Sequence, residues 1–136
     1  MRIYDKKTHQ NLLVPLSSLI KIMWQTNPSV FTGDWFVFFA SAGHGEKAVQ
    51  LDNAVSGRCP YKLSGEVLFP WLMEEYDYFD HFGIMKNDNK TIIGVFDSHF
   101  LFIEIEDQII IDQIQQYYES ICIITDEKES IKRFFV

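Results

Sequence analysis

Positive charge is what this sequence has least of. Lys and Arg number 12 against 19 Asp and Glu, for a formal net charge of -7 over 136 residues. That excludes a general nucleic-acid binder, which needs a basic face to meet phosphates. Cysteine is scarce too. Cys59 and Cys122 lie far apart, and two thiols do not make a disulfide scaffold. Cys122 falls in the apolar run 121–124 and reads as a buried structural thiol, whereas Cys59 precedes Pro60 in a turn and can be exposed. No stretch reaches the roughly 18 apolar residues of a membrane span. The nearest, Leu12 to Ile20, is broken by Pro15, Ser17 and Ser18. The segment Met1 to Lys7 is polar and leads into no secretory hydrophobic region. The expectation is a cytoplasmic protein with reduced thiols and no membrane association. There is no low-complexity segment, no internal repeat and no linker, so residues 1–136 are read as a single domain.

Apolar and aromatic residues are plentiful. They make up 47% and 15% of the chain, with 12 Phe, which is enough for a core and far from a disordered composition. Charge is unevenly placed. Residues 1–62 carry a net of +3 and residues 63–119 a net of -10, while residues 120–136 are balanced. Such asymmetry bears on partners and association rates rather than on fold.

Patterning predicts an α+β fold: a largely antiparallel sheet, with a central apolar strand and a three-strand meander, packed by about four helices. Pro15 opens a helix whose stripe is Leu16, Leu19, Ile20, Met23 and Trp24, and Asn27-Pro28 stops it. The run 35–40 is apolar on both faces and reads as a central strand. Residues 41–45 form a small-residue loop, and 47–51 read as a second strand paired to the first. An irregular connection follows over 52–65. Pro70 opens a second helix with Leu72, Tyr76 and Phe79 on one face, although the alternation over Tyr76-Asp77-Tyr78-Phe79-Asp80 also fits a strand. Residues 82–86 and 91–96 flank a hairpin loop at Asn87-Asp88-Asn89, and 100–106 is the third strand of the meander. Asp107 caps a helix striped by Ile110, Ile114, Tyr117 and Tyr118. A short strand over 121–125 and a last helix, introduced by Asp126 and Glu129, complete the reading.

Three groups of residues are candidates for function. Asp80, His81, Asp97 and His99 sit near the ends of neighbouring predicted strands, and imidazole with carboxylate suits zinc or iron. Their spacing matches no zinc pattern, and Asp and His are also ordinary strand-end residues. The expectation is therefore no metal and no cofactor, with a small metal-dependent enzyme as the alternative. The loop Ser41-Ala42-Gly43-His44-Gly45 follows a predicted strand but lacks the glycine-lysine signature of a phosphate loop, and no nucleophile accompanies His44. No catalytic residue is assigned.

The third group mixes acids and aromatics. Glu74, Glu75, Tyr76, Asp77, Tyr78 and Asp80 fall close together, and Glu104 and Glu106 end a strand. Aromatics anchor interfaces, and carboxylates pair with a basic partner and raise its on-rate. The competing reading is a solvated helix face with its rings turned into the core.

With that cluster, Glu104, Glu106 and its size, the chain resembles bacterial toxin-immunity proteins, including those of the contact-dependent growth inhibition type. The likeness is one of overall character and rests on no diagnostic motif. It implies a non-enzymatic inhibitor that binds a cognate toxin domain, often a basic nuclease, without contacting nucleic acid itself. A phage-encoded acidic inhibitor of a nucleic-acid-binding protein would present the same surface. Either would be a monomer or a homodimer.

Overall fold

A computed structural model describes residues 2–3, 16–41, 46–57, 60–73, 81–96, 100–118 and 121–122. The elements in chain order are β1 (Arg2–Ile3), α1 (Leu16–Thr26), a 3₁₀ turn (Pro28–Phe31), β2 (Asp34–Ser41), α2 (Glu46–Gly57), β3 (Tyr61–Ser64), α3 (Gly65–Leu72), β4 (His81–Lys86), β5 (Ile92–Phe96), β6 (Phe100–Glu104), α4 (Gln108–Tyr117) and β7 (Ile121–Cys122). The strands form one sheet in the order β3-β2-β4-β5-β6-β1-β7. Every pairing is antiparallel. The class is α+β, with β4-β5-β6 as the expected meander.

The helix-facing side of the sheet holds the main core. Trp35, Val37 and Ala40 of β2, Phe82 and Ile84 of β4, Ile93 and Val95 of β5, and Leu101 and Ile103 of β6 pack there. Against them lie Leu16, Leu19, Ile20 and Met23 of α1, Leu51 and Val55 of α2, Leu68, Phe69 and Leu72 of α3, and Ile110 and Ile114 of α4. The register of β2 on β4 shifts between Val37 and Phe39. A bulge of this kind inserts one residue and resets which side chains face which way. It lets Trp35, Val37 and Ala40 all face the helices. Phe38 and Phe39 pack instead with Met85, Ile92 and Phe102 in a second, smaller cluster. Phe39, Gly83, Gly94 and Phe102 fall in one cross-strand row. A Cβ at Gly94 would meet the Phe82 carbonyl oxygen at 2.0 Å and Phe102 Cζ at 2.6 Å, so only glycine admits this approach of ring and backbone.

Three expectations are corrected. Residues 47–51 belong to α2, not to a strand. Among the residues of α2 whose burial is described, Leu51 and Val55, one turn apart, are the buried ones, and so short a stripe does not read as a helix. The supposedly irregular 52–65 contains the end of α2 and all of β3. Finally, α3 begins at Gly65 and contains Pro70 instead of opening on it. Gly65 N–H donates to the Gly33 carbonyl at 2.8 Å, which ties the helix start to the turn before β2. Pro70 has no N–H to return to the Glu66 carbonyl, and the helix ends at Leu72. The expected strand at 123–125 and last helix lie outside the described residues.

The ends of α1 and α4 meet. Thr26 hydroxyl donates to the Ile22 carbonyl and Asn27 N–H to the Met23 carbonyl, before Pro28 ends α1. Asp107 caps α4 as expected, accepting from the N–H groups of Ile109 at 3.0 Å and Ile110 at 3.1 Å. Its other carboxylate oxygen accepts from the Asn27 side-chain amide at 2.9 Å.

Candidate partner-binding surface

Glu74, Glu75, Tyr76, Asp77, Tyr78 and Asp80 lie outside the described residues, as do Asp97, His99 and His44. His81 is described. It opens β4 opposite Ser41, and its half-buried ring stacks on Phe39 with centroids 4.2 Å apart. Phe82 pairs with Val95 and Phe96 with Phe100, so the strand ends that bracket the Asp–His candidates lie at one end of the sheet. Among the described residues, no group of three His, Cys, Asp or Glu is placed to hold a metal ion. Nor is any described helix long and apolar enough to cross a membrane.

The acids of the negative segment divide into two kinds. Some serve local structure. Asp88 accepts from the N–H groups of Lys90 and Thr91 and from the Thr91 hydroxyl, closing the hairpin turn in which Asn89 takes φ +60°. Burial works to raise its pKa. The hydrogen bonds from Lys90 and Thr91, with the charge of Lys86, outweigh that and hold it below the ordinary value. The Asp107 pKa is lowered too, first by the Asn27 amide and then by the helix N–H groups, against a smaller effect of burial. These carboxylates stabilise turns and caps and are committed there.

Two other acids, Glu106 and Asp112, stand in solvent. Glu106 makes only a loose pair with Lys90, at 3.7 Å between side chains 77% and 60% exposed, a geometry that contributes little. Asp112 is exposed on α4 and accepts from the Gln108 amide at 2.9 Å. Glu104 is half-buried at the end of β6, opposite Ile92. From Thr91 to Glu127 the sequence contains no lysine or arginine.

Apolar side chains are exposed beside them. Ile109 is 67% exposed and Tyr117 61%. The sequence stripe put Tyr117 and Tyr118 together in the core, but α4 ends at Tyr117 and the backbone turns extended at Tyr118 (φ -102°, ψ 138°), so helical spacing does not relate the two rings. Tyr118 is buried; Tyr117 lies outside with its ring 5.0 Å from that of Tyr118. Trp24, placed by its spacing on the core stripe of α1, is 41% exposed and stacks on the rim of the core against Phe31, at 5.4 Å. Sequence spacing carries no signal for this face, because which of the two tyrosines is exposed depends on where α4 ends.

Between α1 and α4 lies a groove of about 380 Å³ lined by Ile22, Gln25, Thr26, Gln113 and Tyr117. Ile109, Gln113, Gln116 and Tyr117 fall along one side of α4 by helical spacing. The lining is uncharged although the chain is strongly acidic. The Asn27–Asp107 hydrogen bond links the two helices that form the groove.

No protein-family model matches the chain, and no curated protein or solved structure matches it either.

Proposed function

We propose that this protein is a non-enzymatic immunity or inhibitor protein that binds and neutralises a basic bacterial toxin domain. The observation that carries this reading is the juxtaposition on and before α4. Exposed Glu106 and Asp112, with half-buried Glu104, accompany solvent-facing Ile109 and Tyr117 in a stretch without any Lys or Arg. Acids of one sign steer a cationic partner into encounter, and an exposed tyrosine supplies rigid contact area once it arrives. In this reading the cluster Glu74, Glu75, Tyr76, Asp77, Tyr78 and Asp80 extends the same acidic-aromatic chemistry.

The test is a protection assay in the cytoplasm of a sensitive cell, against the basic toxin domain that the chain captures in a pull-down from its native cell. The intact chain is expected to restore growth. The double variant Glu106→Lys/Asp112→Lys, and separately Glu74→Lys/Glu75→Lys/Asp77→Lys, should associate more slowly and lose the salt dependence of association. Growth arrest that the wild-type chain does not relieve overturns the reading. Protection and affinity unchanged in both variants would remove the assigned surface.

A further inference from the structure

We infer that the α1–α4 groove seats one apolar side chain of a cationic partner segment whose Lys and Arg residues lie over α4; this rests on the binding reading above and names the chemistry of the segment. Ile22, Gln25, Thr26, Gln113 and Tyr117 line the groove, and no charged side chain is among them. The Thr26 hydroxyl is turned back onto the Ile22 carbonyl at 2.8 Å. The polar groups presented are thus chiefly amides, which hydrogen-bond a peptide backbone but do not compensate a desolvated charge. An apolar tip therefore suits the groove, and a volume of about 380 Å³ holds a leucine or phenylalanine side chain with its adjoining backbone.

On the α4 side Asp112 adjoins Gln113, Glu106 precedes the helix, and α4 itself carries no base. A cationic segment is attracted toward α4. Phosphate backbones are repelled from the same side. Exposed Ile109, on the same side of α4 as Gln113, extends the apolar track beyond the groove.

The experiment titrates the intact protein with a short synthetic peptide holding a single leucine flanked by lysine and arginine, read by heteronuclear NMR at the side-chain amides of Gln25 and Gln113. Saturable shifts of both amides are expected. Replacing the peptide's leucine with serine, or the protein's Tyr117→Ala, should weaken binding about tenfold each. A glutamate-flanked leucine peptide should not bind. Absence of saturable shifts at the two amides, equal affinity for the leucine and serine peptides, or equal affinity for the glutamate-flanked peptide overturns the inference. Tyr117 is exposed, so its truncation leaves folding intact, and circular dichroism of the variant checks this. The two failures are separable. Groove binding without protection of cells removes the toxin-neutralising reading alone. Protection and toxin affinity that Tyr117→Ala leaves unchanged remove the groove alone.

Discussion

Asp107→Ala should destabilise the protein by about 2 kcal/mol. Two contributions make up that figure. The Asp107 carboxylate caps α4 through the N–H groups of Ile109 and Ile110, and losing such a cap costs about 1 kcal/mol. It also accepts from the Asn27 amide at 2.9 Å. Removing that charge-assisted acceptor strands a half-buried amide, at a cost of about 1 kcal/mol. For a chain of this size the sum lowers Tm by about 6–10 °C. Asp107→Asn separates the parts. Asparagine caps nearly as well as aspartate, so only the Asn27 contribution and the charge are lost, and the fall should be about half as large. A double-mutant cycle with Asn27→Ala should return a coupling of about 1 kcal/mol in urea denaturation. A Tm for Asp107→Ala equal to that of the wild type, or a vanishing coupling, would refute the reasoning. The same variants bear on binding: with the Asn27 link cut, α1 and α4 are free to part at the groove, and its affinity for the cationic leucine peptide should fall as well.

Further outcomes follow from other sites. Gly94→Ala should cost about 3 kcal/mol or more, because its Cβ runs into the Phe82 carbonyl and the Phe102 ring; chemical denaturation measures it. Gly33→Ala should cost only about 1–2 kcal/mol, since φ is +89° but the nearest other atoms, on Asn87, lie 3.7 Å from the added carbon. Asp88 and Asp107 have pKa values below the ordinary 3.8, so their stabilisation is complete above that pH and is lost as pH falls through the lowered values. Denaturation curves from pH 5 downward should therefore decline less steeply in Asp88→Asn/Asp107→Asn than in the wild type. Trp24→Ala should cost about 1 kcal/mol, the loss of a stacked and partly exposed ring, in the same assay.

What the sequence made legible was whatever repeats regularly. Helix α1 shows buried residues at 16, 19, 20 and 23, and α4 at 110 and 114 behind an aspartate cap, so both were read. The β4–β5 hairpin was legible because Asp88 and Asn89 are the residues such a turn requires. Helix α2 was not, because its described buried residues, Leu51 and Val55, make a short stripe and a brief apolar run resembles a strand. Pro70 misled because proline favours a first turn, whereas the start of α3 is set by a long-range bond from Gly65 to Gly33 that local pattern does not encode. The candidate surface was legible in part. The run of acids gave its sign, but which acids are committed to caps depends on partners such as Asn27, which is 80 positions from Asp107. The exposure of Trp24 and Tyr117 is likewise decided by where the helices sit rather than by their spacing.

The place of β1 has a kinetic consequence. This two-residue strand lies between β6 and β7, with Arg2 opposite both Phe102 and Cys122. Among the described strands β7 has no other neighbour, so it joins the sheet only through β1. Bringing partners about a hundred residues apart together costs about 4 kcal/mol in the length-dependent part of loop-closure entropy. So small a strand regains little of that cost on its own. The β2-β4-β5-β6 region, with nearer partners, should therefore order first, and its far edge should close late and be the first to open. In hydrogen exchange, the amides of β1 and β7 should lose protection well before those of β4 and β5.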